Sequence, residues 1–232
     1  MAVTAPEGPV MEGVRSLEVR WILPGQLDMA VAGWFDRSRP EIESREDAYL
    51  LDPDLGGLSV KVRAGRALEV KAFRGSAGIL DFPGRARGRM QYWQKWSFPF
   101  RPLSQNSSAP DGWRRVRKQR RTCRFLVTGR RITTCPLELA NEAWCAVELT
   151  ELRAHHQDWW SLGFEATGSA DLLRTGLEAI AALVFTQALP DGMELRMDNS
   201  ASYAGWLRAQ LHTQSSTAGD DGRGPGSEPE NS

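Results

Sequence analysis

Charged side chains set at alternate positions are the feature of this sequence that could do chemistry. Glu18 and Arg20 alternate with Leu17, Val19 and Trp21, Lys61 and Arg63 with Val60 and Val62, and Glu69 and Lys71 with Leu68 and Val70. Glu148 lies between Val147 and Leu149, and Glu165 between Phe164 and Ala166. Lys95, Lys118 and Arg120 fall in further, weaker strand-like stretches. On a strand, such residues share one face. Gathered together, seven cations (Arg20, Lys61, Arg63, Lys71, Lys95, Lys118 and Arg120) exceed four carboxylates (Glu18, Glu69, Glu148 and Glu165) by three. Guanidinium groups bind phosphate in bidentate fashion and ammonium groups act on it as point charges. Carboxylates on separate strands suit Mg²⁺ or Mn²⁺ bridging to phosphate oxygens.

The elements that must position these groups are mostly strands. Period-two alternation with β-branched and aromatic residues marks strands around 16–21, 58–63, 68–71, 147–149 and 164–166, with further candidates at 88–98, 113–121 and 122–129. Helices are few. A short one is expected within 24–35. A longer one is expected over 169–187, where Leu172, Leu173, Leu177, Ile180, Leu183 and Val184 follow a Ser169 N-cap and precede the Pro190 and Gly192 stop. A last helix is expected from Ser200 to about Leu211. Residues 99–111 read as a loop rich in Ser, Asn and Pro. Residues 1–14 read as a flexible lead, 15–212 as one domain, and 213–232 as a disordered tail without large apolar residues.

Bulk properties narrow the function classes. Lys plus Arg and Asp plus Glu are both 29, so net charge points neither to a nucleic-acid coat nor to a membrane surface. No apolar run reaches membrane-span length, and residues 1–13 lack the pattern of a secretory signal. Cys123, Cys135 and Cys145 lack metal-ligand spacing and read as reduced thiols of a cytoplasmic protein. His155 and His156 are adjacent and read as an exposed turn rather than a chelating pair. The run from Arg114 to Arg124 reads as a strand before it reads as a nucleic-acid patch. Trp93, Trp96, Trp144, Trp159 and Trp160 could stack on a base, but packing accounts for most of them.

Two architectures fit the alternation. An open sheet would cover a core with its apolar face and show its charges to water. A closed barrel would turn the apolar faces outward onto helices and line its lumen with charge, which then needs partners of opposite sign. The order of the motifs resembles one known family. Ser-Leu-Glu-Val-Arg at 16–20 is similar to the opening strand of the CYTH, or triphosphate tunnel metalloenzyme, superfamily. Residues 45–50 resemble its Tyr-containing second strand, 58–63 and 68–71 its paired basic strands, Lys95, Lys118 and Arg120 its later basic positions, and 199–207 its closing helix.

That resemblance covers roughly residues 15–211. It implies a mainly β fold, a closed antiparallel barrel or tunnel of about eight strands with a few packing helices. It implies a triphosphate or polyphosphate ligand, a divalent metal (Mg²⁺ or Mn²⁺) and metal-dependent triphosphatase activity. Carried over by position, the seven cations would hold phosphate. Glu18, Glu148 and Glu165 would be the catalytic and metal-binding residues, with Glu69 a weaker candidate. Two departures bear on catalysis: Ser16 and Thr150 stand where the family pattern has carboxylates. Each lost carboxylate weakens a hard-cation site. A phosphate-binding sensor without catalysis, and a scaffold domain, are the competing expectations.

Overall fold

The computed structural model describes residues 13–99, 112–128, 131–135 and 144–217. Nine strands and three helices follow in the order β1 (Val14–Pro24), α1 (Met29–Asp36), β2 (Glu41–Leu50), β3 (Leu58–Arg63), β4 (Ala67–Phe82), β5 (Ala86–Pro99), β6 (Trp113–Thr128), β7 (Arg131–Thr134), β8 (Trp144–Ala154), β9 (Gln157–Thr167), α2 (Ala170–Phe185) and α3 (Tyr203–Thr217). The sheet runs β2-β3-β4-β5-β1-β9-β8-β6 and closes by pairing β6 with β2. All these pairings are antiparallel. The result is an eight-stranded closed barrel, and the open-sheet alternative falls. The short β7 pairs with β6 beyond the stretch that β2 covers.

Several boundaries differ from the sequence reading. β1 begins at Val14, inside the expected lead, and α3 continues to Thr217, past the expected helix end. The two strand candidates at 113–121 and 122–129 are one long strand, β6, which pairs with β2 in its first part and with β7 in its last. Ser169 stands at the N-cap of α2 with extended backbone, but its side chain makes no cap hydrogen bond. His155 and His156 form the two-residue turn between β8 and β9, both with positive φ (50° and 64°), the backbone that tight hairpins demand. The expected loop at 100–111, residues 1–12 of the lead and residues 218–232 of the tail lie outside the described residues.

The apolar strand faces point out of the barrel. Leu17, Val19 and Trp21 of β1, Val147 and Leu149 of β8, and Leu162, Phe164 and Ala166 of β9 pack with Leu173, Leu177, Ile180 and Phe185 of α2. Trp21 meets Phe164 and Phe185 edge-on at 6.4 and 6.1 Å. Its ring presses so close to β5 that a Cβ at Gly88 would lie 2.6 Å from it, which explains a glycine within that strand. A second apolar cluster closes one end of the barrel. There Ile22, Tyr49, Val116 and Leu152 receive Trp206 and Leu207 of α3, and Arg208 of α3 donates to the carbonyl of Leu55 at 2.9 Å. No helix among the described residues is long and apolar enough to cross a membrane.

Leu177 is fully buried where α2 meets the barrel. Leu177→Ala is expected to lower unfolding stability by about 2–5 kcal/mol, read as a fall in urea midpoint. A shift below the error of the melt would mean that α2 is not an integral part of the core.

Candidate functional site

The strand register decides which residues share the lumen. Glu18 lies opposite Glu165, and Arg20 opposite Gly163. Glu148 is also opposite Gly163 from its other side. Arg120 faces Glu43 and Thr150, Lys61 faces Tyr49 and Glu69, and Lys71 faces Ser59 and Lys95. All seven cations singled out from the sequence therefore stand on the inner face. Gly163 has a spatial reason: a Cβ there would lie 2.7 Å from the guanidinium carbon of Arg20. A glycine in mid-strand leaves the arginine room to lie across the lumen.

Arg20 is the busiest of these groups. It donates to Glu148 Oε2 at 3.1 Å, to the Tyr203 hydroxyl at 3.0 Å and to Ser161 Oγ at 3.4 Å, and its guanidinium lies 4.4 Å from the centre of the Tyr203 ring. Arg120 binds the other oxygen of Glu148, and Glu43 at 3.1 Å. Lys71 bridges Glu18 and Glu165, the latter at 3.5 Å. Lys61 pairs with Glu69 at 2.9 Å and Asp47 at 3.6 Å, while Arg63 reaches Glu69 at 3.4 Å and Glu43 at 3.8 Å. Lys118 donates to the Tyr49 hydroxyl at 2.6 Å, lies 3.2 Å from Asp47 and sits 3.8 Å above the Tyr203 ring. Lys95 makes no ion pair or hydrogen bond among the described residues, but its charge is felt by Glu69 and Glu165.

The partners these cations need are thus largely carboxylates of the barrel itself. The sequence reading assigned that role to a phosphate ligand because it missed Glu43, Arg45 and Asp47 on β2. Asp47 is fully buried and lies within 3.1–3.6 Å of Arg45, Lys118 and Lys61. These are contacts of charge rather than well-angled hydrogen bonds. Burial works to raise its carboxyl, but Lys118, Lys61 and Arg45 outweigh it and hold it well below the usual carboxylate range. Burial likewise opposes ionisation of Glu69, and Lys61 chiefly brings it down to about 2. At Glu165, burial is overcome by Lys71, then Lys95, Arg20 and Arg120.

The three carboxylates expected at a metal stand in two places. Glu18 and Glu165 come together on Lys71, whereas both oxygens of Glu148 are taken by Arg20 and Arg120. Glu69 stands apart with Lys61 and Arg63. No group of three His, Cys, Asp or Glu among the described residues is arranged to hold a metal ion. The pair still suits a hard cation in donor type, and the Lys71 ammonium between them marks a point where the barrel favours positive charge. Two carboxylates match the way Mg²⁺ is held when phosphate oxygens and water supply its other ligands. Ser16, at the position of a lost carboxylate, donates to Glu18 Oε1 at 2.7 Å and braces it.

Tyr203, read in the sequence as part of the closing helix and given no role at the site, is the other group found there. It enters from the first turn of α3 and meets Ser161 Oγ at 2.9 Å and Arg20, beneath Lys118. Burial would raise its phenol, but Arg20 and Lys118 outweigh that and, with hydrogen bonds, bring it down to about 7.

Fold and site together define a closed antiparallel tunnel, plugged by a helix at one end and lined with paired charges. No protein-family model matches the sequence, and no curated protein matches it. Among solved structures, it is similar to the protein PH1819 of Pyrococcus horikoshii OT3, at 9% identity over 84% of this chain and 99% of that one, with a TM-score of 0.41. It is similar also to the Pct1 RNA triphosphatase of S. pombe, at 11% identity over 90% and 84% of the two chains with a TM-score of 0.39. A third is the capping enzyme triphosphatase of Mimivirus, at 10% identity over 74% and 89% with a TM-score of 0.36. These are distant similarities of shape, and the chemistry of the site follows from this chain's own residues.

Two outcomes are expected of the buried charges. The depressed carboxyls of Asp47 and Glu69 contribute stability that is present above their unfolded values near pH 4 and is lost as the pH falls below them. Asp47→Asn should therefore cost about 3–5 kcal/mol at pH 7, and urea melts should show the gap to wild type closing from about pH 4 downward. A gap that holds constant in acid would show that Asp47 is not ionised in the native state. For Tyr203, an ultraviolet titration of the native protein should show one tyrosine ionising near pH 7. The Tyr203→Phe variant should lack that step.

Proposed function

We propose that this chain is a divergent member of the triphosphate tunnel superfamily and that its lumen binds a triphosphate- or polyphosphate-containing small molecule and hydrolyses it. The observation that carries this reading is the closed barrel with Arg20, Lys61, Arg63, Lys71, Lys95, Lys118 and Arg120 all on its inner face. Such a lumen offers donors from several sides to one elongated anion, and Lys95 has no ion pair or hydrogen bond among the described residues to give up. The order of motifs along the sequence adds to it independently. A divalent metal, when bound by Glu18 and Glu165, would neutralise phosphate charge.

The residues of the chain supply the rest. Lys71 and Lys95, opposite each other, take phosphate oxygens where their mutual repulsion is relieved by the anion's charge. Arg20 and Arg120, fixed by Glu148, present guanidinium edges to charge that develops on the leaving phosphate, and because they are already placed they need no reorganisation. Glu165, kept ionised by its neighbours, is suited to orient a water toward phosphorus. Phosphoryl transfer asks for this positioning and neutralisation more than for covalent help. One observation favours a second reading, a sensor that binds without turnover: Glu148 is locked between two arginines, and Thr150 beside it is not a carboxylate.

The test is a calorimetric titration with tripolyphosphate and nucleoside triphosphates, alongside phosphate release with Mg²⁺ or Mn²⁺. Wild type should bind and turn over at least one of them. Lys71→Ala should weaken binding roughly tenfold or more. Glu165→Gln should retain binding and lose most turnover. Binding without turnover under either metal would establish the sensor, and no binding to any of these compounds would overturn the reading.

A further inference from the structure

The plugged end of the barrel holds a cavity of about 60 Å³, bordered by β1, β3, β4 and β5 and by the start of α3. That volume exceeds what one water needs, roughly 10–15 Å³, and is far below the roughly 300–1,000 Å³ of sites that take drug-sized molecules. It fits one phosphoryl-sized group and not a nucleoside. Four cationic side chains border it against two carboxylates, Glu18 and Glu69.

Its floor is the N-terminus of α3. Ser202 caps the helix through Oγ to the amide of Gly205 at 3.2 Å, and its carbonyl takes the amide of Trp206. The amides of Tyr203 and Ala204 have no acceptor among the described residues, and both residues border the cavity. Free first-turn amides carry the positive end of the helix dipole and are suited to an oxyanion. The segment leading into the helix is held in place, since Arg89 donates to the carbonyls of Met197 at 3.0 Å and Ser200 at 3.1 Å, and the amide of Ala201 to that of Arg20 at 3.1 Å.

A second feature points independently to a ligand. Trp93 of β5 forms part of the cavity wall and is 6% exposed, yet its indole N–H has no acceptor among the described residues. A buried indole N–H ordinarily has one. Trp34 and Trp206 also lack acceptors, but neither borders this cavity. Of these three indoles, Trp93 alone brings its unpartnered N–H to a space already ringed by cations and helix amides.

We propose that this cavity is an oxyanion subsite that seats the terminal phosphoryl group of the tunnel's ligand, held by the amides of Tyr203 and Ala204, the Trp93 indole N–H and the ammonium groups of Lys61 and Lys71. The assignment rests on the reading of the tunnel as a phosphate site and adds which end of it receives the chain terminus. It makes α3 part of the binding surface as well as a plug. It also separates ligands by their ends: a compound with a free terminal phosphate fills the subsite, and one whose terminal phosphate is esterified does not.

The experiment is calorimetry of the full chain with tripolyphosphate, with inorganic phosphate, and with a dinucleoside polyphosphate that has no free terminal phosphate. Wild type should bind tripolyphosphate more tightly than the doubly esterified compound. Trp93→Phe keeps the ring and removes the N–H. Ala204→Pro removes one amide at a first-turn position where proline is tolerated. Each should weaken tripolyphosphate binding roughly tenfold while leaving binding of the doubly esterified compound unchanged. Melting curves without ligand identify a variant that has simply failed to fold, and Trp93→Phe stands if Ala204→Pro does not. If both folded variants bind tripolyphosphate as wild type does while Lys71→Ala does not, the subsite is wrong and the tunnel reading survives. If wild type binds no phosphate compound, both fall.

Discussion

A closed barrel with charge on its inner face has to balance that charge within a space a few side chains wide, because an unpaired buried ion is too costly to keep. Arg20 shows how the constraint is met. One guanidinium spans from β1 to Glu148 of β8, Ser161 of β9 and Tyr203 of α3, and Gly163 is the gap that lets it do so. Ring closure, lumenal charge balance and the seating of the terminal helix thus share one side chain. Asp47 plays the converse part for β2, β3 and β6, as a buried anion amid Arg45, Lys61 and Lys118.

The layout reverses the usual order of a globular domain. Its main apolar core lies outside the barrel, between the strands and α1 and α2, and its polar groups are inside. Burial of Leu and Phe side chains in that outer layer, worth about 1.5–3 kcal/mol each, offsets the desolvation of the ions within. The smaller apolar cluster under α3 stops the lumen at one end. The same strands therefore have one face selected for packing and the other free to hold function.

That division explains what could be read from the sequence. On β1, β3, β4, β8 and β9 an apolar residue follows each of the lumenal charges Glu18, Arg20, Lys61, Arg63, Glu69, Lys71, Glu148 and Glu165, so alternation exposed both the strand and its inner face. β2 gave no such signal. Glu43, Arg45 and Asp47 point inward while Ser44 and Glu46 point out to meet solvent and the arginines of β6, so both faces of the strand are polar and the period is hidden. The carboxylates that balance the lumen were missed for that reason. Whether Glu148 would join Glu18 and Glu165 was also illegible, since it depends on which side chain Arg20 reaches across three strands. Tyr203 carried no mark of its role, because only the docking of α3 brings it beside Arg20 and Lys118. Closure itself was implied by the order of motifs and by no single one of them.

Apart from Lys95, the lumen's cations are already spoken for, and this changes what entry of an anion means. Beyond that one ammonium, a newcomer displaces a carboxylate from its ammonium or guanidinium partner. The displaced carboxylate is then a buried anion beside a second one, and it must take up a proton or a cation or leave the newcomer no room. Occupancy of this barrel is therefore an exchange equilibrium among anions, coupled by mass action to the activities of protons and of small cations in the surrounding solution. Electroneutrality of the interior, more than the strength of any one contact, sets the terms on which a guest can stay.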